Sequence, residues 1–280
     1  MKRRTFVQAM AATAAGCALP PRFARESRHL KRVSLELYSV RAEMKQDPEG
    51  TLTQLRAMFY DDVELLWTFG NFGRTDAQVK AALANTGLKA PSAHIDPSLL
   101  TGDWQKSVER AVYLGQQYLI VPSLTSDDEK SLDAWKRWAD IFNSAGAVAR
   151  TGGIWLGFHN EPGHSKPIGG VVPIELFLER TDPQYVRLQL DTGNMRLGGA
   201  DPMPFLKKHH DRIWSFHLKD VVADNSHDCE LGTGSVDFAA ILAGVKDIDQ
   251  KLCVVEQEGS PAPLESARRN QQYLRGLFFQ

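Results

Sequence analysis

WLGFHNEPGH, Trp155 to His164, is a short apolar run that stops abruptly in His159, Asn160 and Glu161. A strand ending in an imidazole and a carboxylate is a poor core segment and a good active-site rim, because such groups cost free energy to bury without partners. The same ending recurs three times downstream: RLQLD closes in Asp191, IWSFH in His217 and LCVVE in Glu256. Four apolar runs, each terminated by a carboxylate or imidazole, decide how the chain is read.

Outward from that stretch, strand-like and helix-like segments alternate with little between them. VSLELY (33–38), DVELL (62–66), LKAPSAH (88–94), YLIVPS (118–123), IWLGFH (154–159), VRLQLD (186–191), RIWSFHLKD (212–220) and KLCVVEQE (251–258) are the strands. Between them lie helical patterns with recognisable ends. DAQVKAALANTG closes at Gly87, where a left-handed cap suits glycine. The long amphipathic stretch SDDEKSLDAWKRWADIFNSAGAVAR has Ser126 or Asp127 as its expected cap. DPMPFLKKHH begins at Asp201 with Pro202 in its first turn.

Eight strand–helix pairs in about 250 residues is the size and rhythm of a (β/α)8 TIM barrel. A doubly wound open sheet more often carries a Gly-rich phosphate turn after an early strand, and none is present. GTGS, Gly232 to Ser235, precedes the seventh helix and lacks the Lys-Ser/Thr of a P-loop, so it reads as a loop leading into that helix.

The chain has 280 residues, 42% hydrophobic and 24% charged, with a net charge of -1 and a pI near 6.7. That balance offers no basic face, so no nucleic-acid partner is expected. No apolar run approaches the roughly 20 residues of a membrane span. Residues 1–24 read as an export segment: MKRRTFVQAMAATAAGCALP has a basic start, an Ala-rich stretch and small residues suited to cleavage after Ala18. Arg3-Arg4 followed by Thr5, Phe6 and Val7 resembles a twin-arginine signal, which implies a periplasmic or otherwise exported protein. Lipid attachment at Cys17 is disfavoured because Ala14 stands where Leu is usual. Residues 25–280 then form a single barrel domain, and no oligomeric state is legible. Cys229 and Cys253 are too few for a disulfide scaffold, and Cys253 reads as a small buried hydrophobe.

In a barrel the C-terminal ends of the strands face one mouth. The four strand endings therefore converge although they are far apart in sequence. Alternation along a strand points His159 and Glu161 the same way if the strand persists that far. One of the two can join Asp191, His217 and Glu256 around a divalent ion such as Mn, Co, Fe, Ni or Zn. A single His or Asp at a strand end is ordinarily a cap or loop hydrogen-bonder. Four on consecutive barrel strands favour the metal.

LELYSVR (35–41), GFHNE, LQLDTGN, GGADP, RIWSFHLKD, ELGTGSVDF and VVEQE resemble the sugar phosphate isomerase/epimerase group with xylose-isomerase-like barrels. That group includes ketose 3-epimerases, inosose dehydratases and enzymes acting on 3-keto-glycosides, and the resemblance runs over nearly all of residues 25–280. It implies one divalent metal held by the HNE segment, Asp191, His217 and Glu256, with Glu161 preferred to His159 on the fifth strand. Many relatives read His-Asn-His where this chain has His159, Asn160 and Glu161. The ketose epimerases place a His where this chain has Asn194, which argues against plain ketose epimerase activity.

The chemistry that follows is α-proton abstraction from a keto-sugar or keto-glycoside through a metal-stabilised enediolate. Glu256, Glu161 and His159 are the candidate proton acceptors, and Lys219 is a candidate for holding an oxyanion. Returning the proton to the other face gives epimerisation; expelling a β-substituent gives elimination. His94, Trp67, Asn194 and Arg41 are candidate substrate contacts, with Phe69 beside Trp67 as an apolar wall. Glu64, inside a strand, needs a partner such as Arg41 if buried. His227, Asp228 and Glu230 read as a solvated loop cluster. Export argues for an unphosphorylated carbohydrate. The competing expectations are a sugar- or partner-binding barrel that has lost catalysis and, less favoured, a phosphodiesterase of the endonuclease IV type.

Overall fold

A computed structural model describes residues 27–280, so the expected export segment lies outside the described residues. The chain forms β1 (Ser34–Glu36), β2 (Asp62–Leu66), β3 (Lys89–His94), β4 (Tyr118–Val121), β5 (Trp155–His159), β6 (Val186–Asp191) and β7 (Ile213–Leu218). A short ribbon of β8 (Asp220–Val221) and β9 (Asp228–Cys229) follows, and then β10 (Leu252–Val255). Eight of these strands close into a barrel in the order β1-β10-β7-β6-β5-β4-β3-β2, each pair parallel. The expected (β/α)8 TIM barrel is therefore the fold.

The outer helices are held by apolar faces and by caps. The longest, Leu132–Thr151, begins at Ser131, whose hydroxyl accepts from the Ala134 amide at 3.3 Å. The expected start near Ser126 is too early, because Asp128–Lys130 makes a separate turn first. Trp135 and Phe142 of this helix meet Phe158 of β5 edge-on, with ring centroids 5.6 Å apart in both pairs, and Phe177 closes the cluster. All four are fully buried. Such aromatic contacts fix the depth at which β5 sits, and hence where His159 emerges.

β1 and β10 stop earlier than the pattern suggests and β5 stops with its apolar run, each for a local reason. β1 ends at Glu36 because Leu37–Val40 winds into a tight turn. β5 ends at His159, where Asn160 takes over the ladder: its amide donates to the Asp191 carbonyl at 3.1 Å and accepts the Asp191 N–H at 2.8 Å. Pro162 then begins a turn, so the alternation expected to carry Glu161 onto the face of His159 does not apply. β10 ends at Val255, leaving Glu256 one residue past it.

The β8–β9 ribbon is organised by one carboxylate. Asp220 accepts from the amides of Val221, Gly232, Gly234 and Val236 at 2.9–3.0 Å. Those amides include two of the GTGS stretch, which fits its reading as a loop before the helix Phe238–Ala243. Gly232 has φ +80, and a Cβ there would lie 2.2 Å from the Tyr273 ring. The expected solvated cluster needs correction at two of its three members. Asp228 accepts the amides of Glu258 and Gly259, and Glu230 accepts from Ser266 and Arg269. His227 alone is exposed.

At the opposite end of the barrel, Arg187 lies 4.0 Å from the Trp155 ring and 4.4 Å from the Trp214 ring, and Lys251 sits 4.2 Å over Trp214. These residues stand at the starts of β5, β6, β7 and β10 and cover the end away from the site. Nearby, Arg28 and Phe279 exchange backbone hydrogen bonds at 2.7 and 2.9 Å. Among the described residues no helix is long and apolar enough to cross a membrane. Cys229 and Cys253 are both free.

Candidate functional site

The ligand atoms of His159, Asp191, His217 and Glu256 all lie within 4.8 Å of one another, and all four residues are buried. Each comes from the end of a barrel strand or the residue after it: β5, β6, β7 and β10. His217 Nδ1 is 2.7 Å from Glu256 Oε2 and 4.0 Å from Asp191 Oδ2. His159 Nε2 is 3.4 Å from Asp191 Oδ2. Neither His159 Nε2 nor Asp191 Oδ2 has a hydrogen-bond partner. A buried imidazole nitrogen without a hydrogen bond is unusual, because it forfeits its desolvation cost, and the Asp191 oxygen beside it is offset by the Lys219 ammonium at 3.2 Å.

The electrostatics agree with that geometry. Burial pushes the His159 imidazole down to about 4, outweighing Asp191, so the ring is neutral and its nitrogen is free to donate a lone pair. Its other nitrogen, Nδ1, is 3.4 Å from the Pro122 carbonyl, which suits an N–H there and leaves Nε2 facing the cluster. Burial resists charge on Glu256, but Lys219 and His217 overcome it and hold that carboxyl well below its ordinary range. Two imidazoles and two carboxylates are a donor set suited to a divalent transition ion, with zinc, manganese, cobalt and iron all compatible. The residues present fit such an ion.

A second layer backs the first. His217 Nε2 is 2.6 Å from Glu64 Oε1, and Glu64 accepts from Gln189 Nε2 at 3.0 Å. His94 joins Glu64 at 3.1 Å and Glu36 at 2.9 Å. Burial pushes Glu36 up to about 8, with Glu256 adding to the effect. Glu64 goes the other way: burial raises it, but His94 and His217 bring it down to about 2.

Lys219 is buried with its ammonium 3.2 Å from Asp191 Oδ2, 3.0 Å from Glu256 Oε2 and 2.6 Å from Glu258 Oε1. Burial works against the charge, yet these three carboxylates hold it well above its ordinary range. Its stem passes over Gly193, where a Cβ would lie 2.5 Å from Lys219 Cγ. Only glycine leaves that path open. The mouth above is a cleft of about 240 Å³ lined by Glu36, Tyr38, Phe69, His94, His159, Glu161, Glu256 and Glu258 among others.

The closed parallel barrel has counterparts. Residues 52–277 match the family profile described as the xylose isomerase-like TIM barrel. The chain belongs to that family. An inosose dehydratase of Salmonella typhimurium is 30% identical over 164 residues, 51% of this chain and 54% of that protein. The chain thus spans about half the length of that relative and of similar curated ones. A sugar phosphate isomerase/epimerase of Parabacteroides distasonis has a TM-score of 0.78 at 24% identity, covering 88% of this chain and 98% of that one. The IolI protein, solved with a bound zinc atom, has a TM-score of 0.65 at 13% identity, covering 87% and 96%. At these identities the two structures share the fold.

Within this xylose isomerase-like barrel, the expected site residues fall into three groups. Asp191, His217 and Glu256 come together as expected, and the fourth member of their set is His159. Glu161 stands just outside, with Oε1 3.7 Å from His159 Nδ1 and Oε2 accepting from Asn194 at 3.3 Å. Burial pushes its carboxyl up to about 7 against the pull of Lys219. His94 lines the cleft. Asn194 is buried beneath it, tying Glu161 to Lys219, whose ammonium donates to Asn194 Oδ1 at 3.2 Å.

Two expected substrate contacts lie elsewhere. Trp67 is in the core with Arg110 4.1 Å over its ring, because the chain turns after β2 and presents Phe69 to the cleft instead. Arg41 stacks 4.1 Å over Tyr38 at the rim and donates to the Tyr38 and Glu258 carbonyls. It does not reach Glu64, whose partners are His217, His94 and Gln189. Sequence reasoning passed over Glu36, Gln189 and Glu258. The available signal was a lone polar residue inside an apolar strand, as in SLEL and RLQLD.

Proposed function

We propose that this chain is a divalent-metal-dependent carbohydrate enzyme, an isomerase, epimerase or lyase that removes the proton α to the carbonyl of a keto-sugar or keto-glycoside. The observation that carries this reading is the buried quartet His159, Asp191, His217 and Glu256, with His159 Nε2, which makes no hydrogen bond, facing Asp191 Oδ2 at 3.4 Å. His159 takes the fifth-strand ligand position in this reading, which frees Glu161 for proton transfer. When bound, the ion supplies Lewis-acid polarisation of the substrate carbonyl and adjacent hydroxyl.

The chain's own residues do the rest. Glu161, half-buried and fixed by Asn194, and Glu256, across the cluster from it, are the two carboxylates placed to take or return a proton. Lys219 offers a fixed ammonium for the oxygen on which negative charge develops. Tyr38 and Phe69, whose rings meet at 5.7 Å, give the cleft one apolar wall. Glu256 and Glu258 put carboxylates in the lining, which opposes phosphate groups and supports an uncharged sugar. The elimination named for the inosose dehydratase relatives and an epimerisation share the same first step.

Incubation of the metal-loaded protein with a panel of keto-sugars, inososes and 3-keto-glycosides in deuterated water tests the reading. Solvent deuterium should enter the α-position of at least one of them. Elemental analysis should find about one divalent ion per chain, lost in His217→Ala; a wild-type protein that binds none sinks the proposal. Retained metal with no exchange into any ketone would favour a sugar-binding barrel without catalysis. We also propose twin-arginine export, for which Arg3→Lys with Arg4→Lys should keep the protein in the cytoplasmic fraction.

A further inference from the structure

His217 presents its two ring nitrogens to opposite sides of the barrel. Nδ1 faces the mouth, 2.7 Å from Glu256, while Nε2 faces inward, 2.6 Å from Glu64 Oε1. Glu64 lies on β2, fully buried, and does not line the cleft. Its carboxylate is itself pinned: Gln189 Nε2 donates at 3.0 and 3.3 Å, and His94 Nε2 stands 3.1 Å away. Gln189 is held in turn by Ser215 and His94 at 3.0 and 2.8 Å.

We infer that Glu64 is a positioning residue for the metal centre: it holds the His217 ring so that Nδ1 faces Asp191 and Glu256, and thereby sets the affinity of the site for a divalent cation. This rests on the metal reading of the His159, Asp191, His217 and Glu256 set. An imidazole that ligates through one nitrogen is oriented by whatever binds the other. Here that partner is an acceptor with no freedom to move.

The inner residues Glu36, Glu64, His94 and His217 also bring ligand atoms within 4.8 Å of one another. Their bonding separates them from the outer set. His94 uses one nitrogen on Glu36 and the other on Gln189, and Glu64 uses its oxygens on His217 and Gln189. With His94 and Glu64 so engaged, Glu36 Oε2 is the inner-set atom left without a hydrogen bond, and it stands 3.9 Å from His217 Nδ1. In the outer set His159 Nε2 makes no hydrogen bond and Asp191 Oδ2 has the Lys219 ammonium 3.2 Å away, and that is where one cation fits.

Glu64→Gln tests the assignment. The amide of a Gln at this position would turn its NH2 toward either His217 Nε2 or Gln189 Nε2, so one hydrogen bond becomes a donor–donor contact. Competition titration of the metal-free protein with Zn²⁺ and with Mn²⁺, against a chromophoric chelator, should show affinity about 10–100-fold weaker than wild type at unchanged stoichiometry. In 15N-labelled metal-free protein the His217 ring resonances should move while those of the distant His209 and His210 stay. Equal affinity in a folded Glu64→Gln protein overturns the inference and leaves the functional reading standing. Two ions per wild-type chain also overturn it, by making Glu64 a ligand, and no ion in wild type overturns both. Where Glu64→Gln fails to fold, Gln189→Leu removes the donor that pins Glu64 and should weaken binding several-fold; unchanged affinity there counts equally against it.

Discussion

Glu256 bonds His217 and Lys219 at once, so its carboxylate is fixed in place where it lines the cleft. Glu256→Gln keeps the shape and removes the charge, and it should abolish solvent deuterium exchange while circular dichroism stays native. Undiminished exchange would remove Glu256 from the chemistry. Lys219→Met should lower the exchange rate by about 10²–10³, the usual cost of losing one oxyanion donor, while a competition titration still finds the metal bound. At this scale much was legible and some was not. The four strand-ending groups stood out because polar termini on apolar runs are costly unless used. The choice between His159 and Glu161 did not, because it turns on Asn160 replacing a ladder partner and Pro162 ending the strand. Glu64 pointed the expectation to Arg41, since sequence alone could not place β2 across the barrel from β7.

Among the elements, the 220–236 loop depends most on a single side chain. Asp220 is fully buried, and among the described residues its hydrogen-bond partners are four backbone amides. Asp220→Ala leaves those donors without an acceptor, and we expect at least about 3 kcal/mol of lost stability by urea denaturation, since a single hydrogen bond to a charged group carries about 1.5–3 kcal/mol. The variant should also blunt catalysis, because Asp228 on the same ribbon holds the amides of Glu258 and Gly259 beside the cleft. Strand and helix order was readable from periodicity and caps. The ribbon was not, as two-residue strands carry no period, and its dependence on Asp220 is a tertiary fact.

For the whole molecule, the buried thiol of Cys253 makes a pH prediction with a definite sign. Burial pushes it up to about 12 from an ordinary 9.0. The folded state therefore keeps a proton that the unfolded state releases, and the associated stability is intact below about pH 9 and declines as pH climbs toward 12. In urea titrations from about pH 8 to about pH 11, Cys253→Ala should lose stability less steeply than wild type. A slope equal to that of wild type would mean the thiol is not protected as drawn. Closure of the barrel was expected from the count of eight pairs, whereas the seal itself rests on little: β1 and β10 share a register of only Ser34↔Val254 and Leu35↔Val255.

Beside that narrow seam, Arg28 and Phe279 are stitched together by paired backbone hydrogen bonds. The first and last portions of the barrel thus meet on the side away from the cleft. A peptide linker joining them would need to cross almost no distance, so a circularly permuted chain, opened instead at an exposed outer loop, should still close its ring and keep its mouth intact. The same proximity means that attaching the barrel to a surface at Arg28 or at Phe279 would leave the cleft pointing away from that surface.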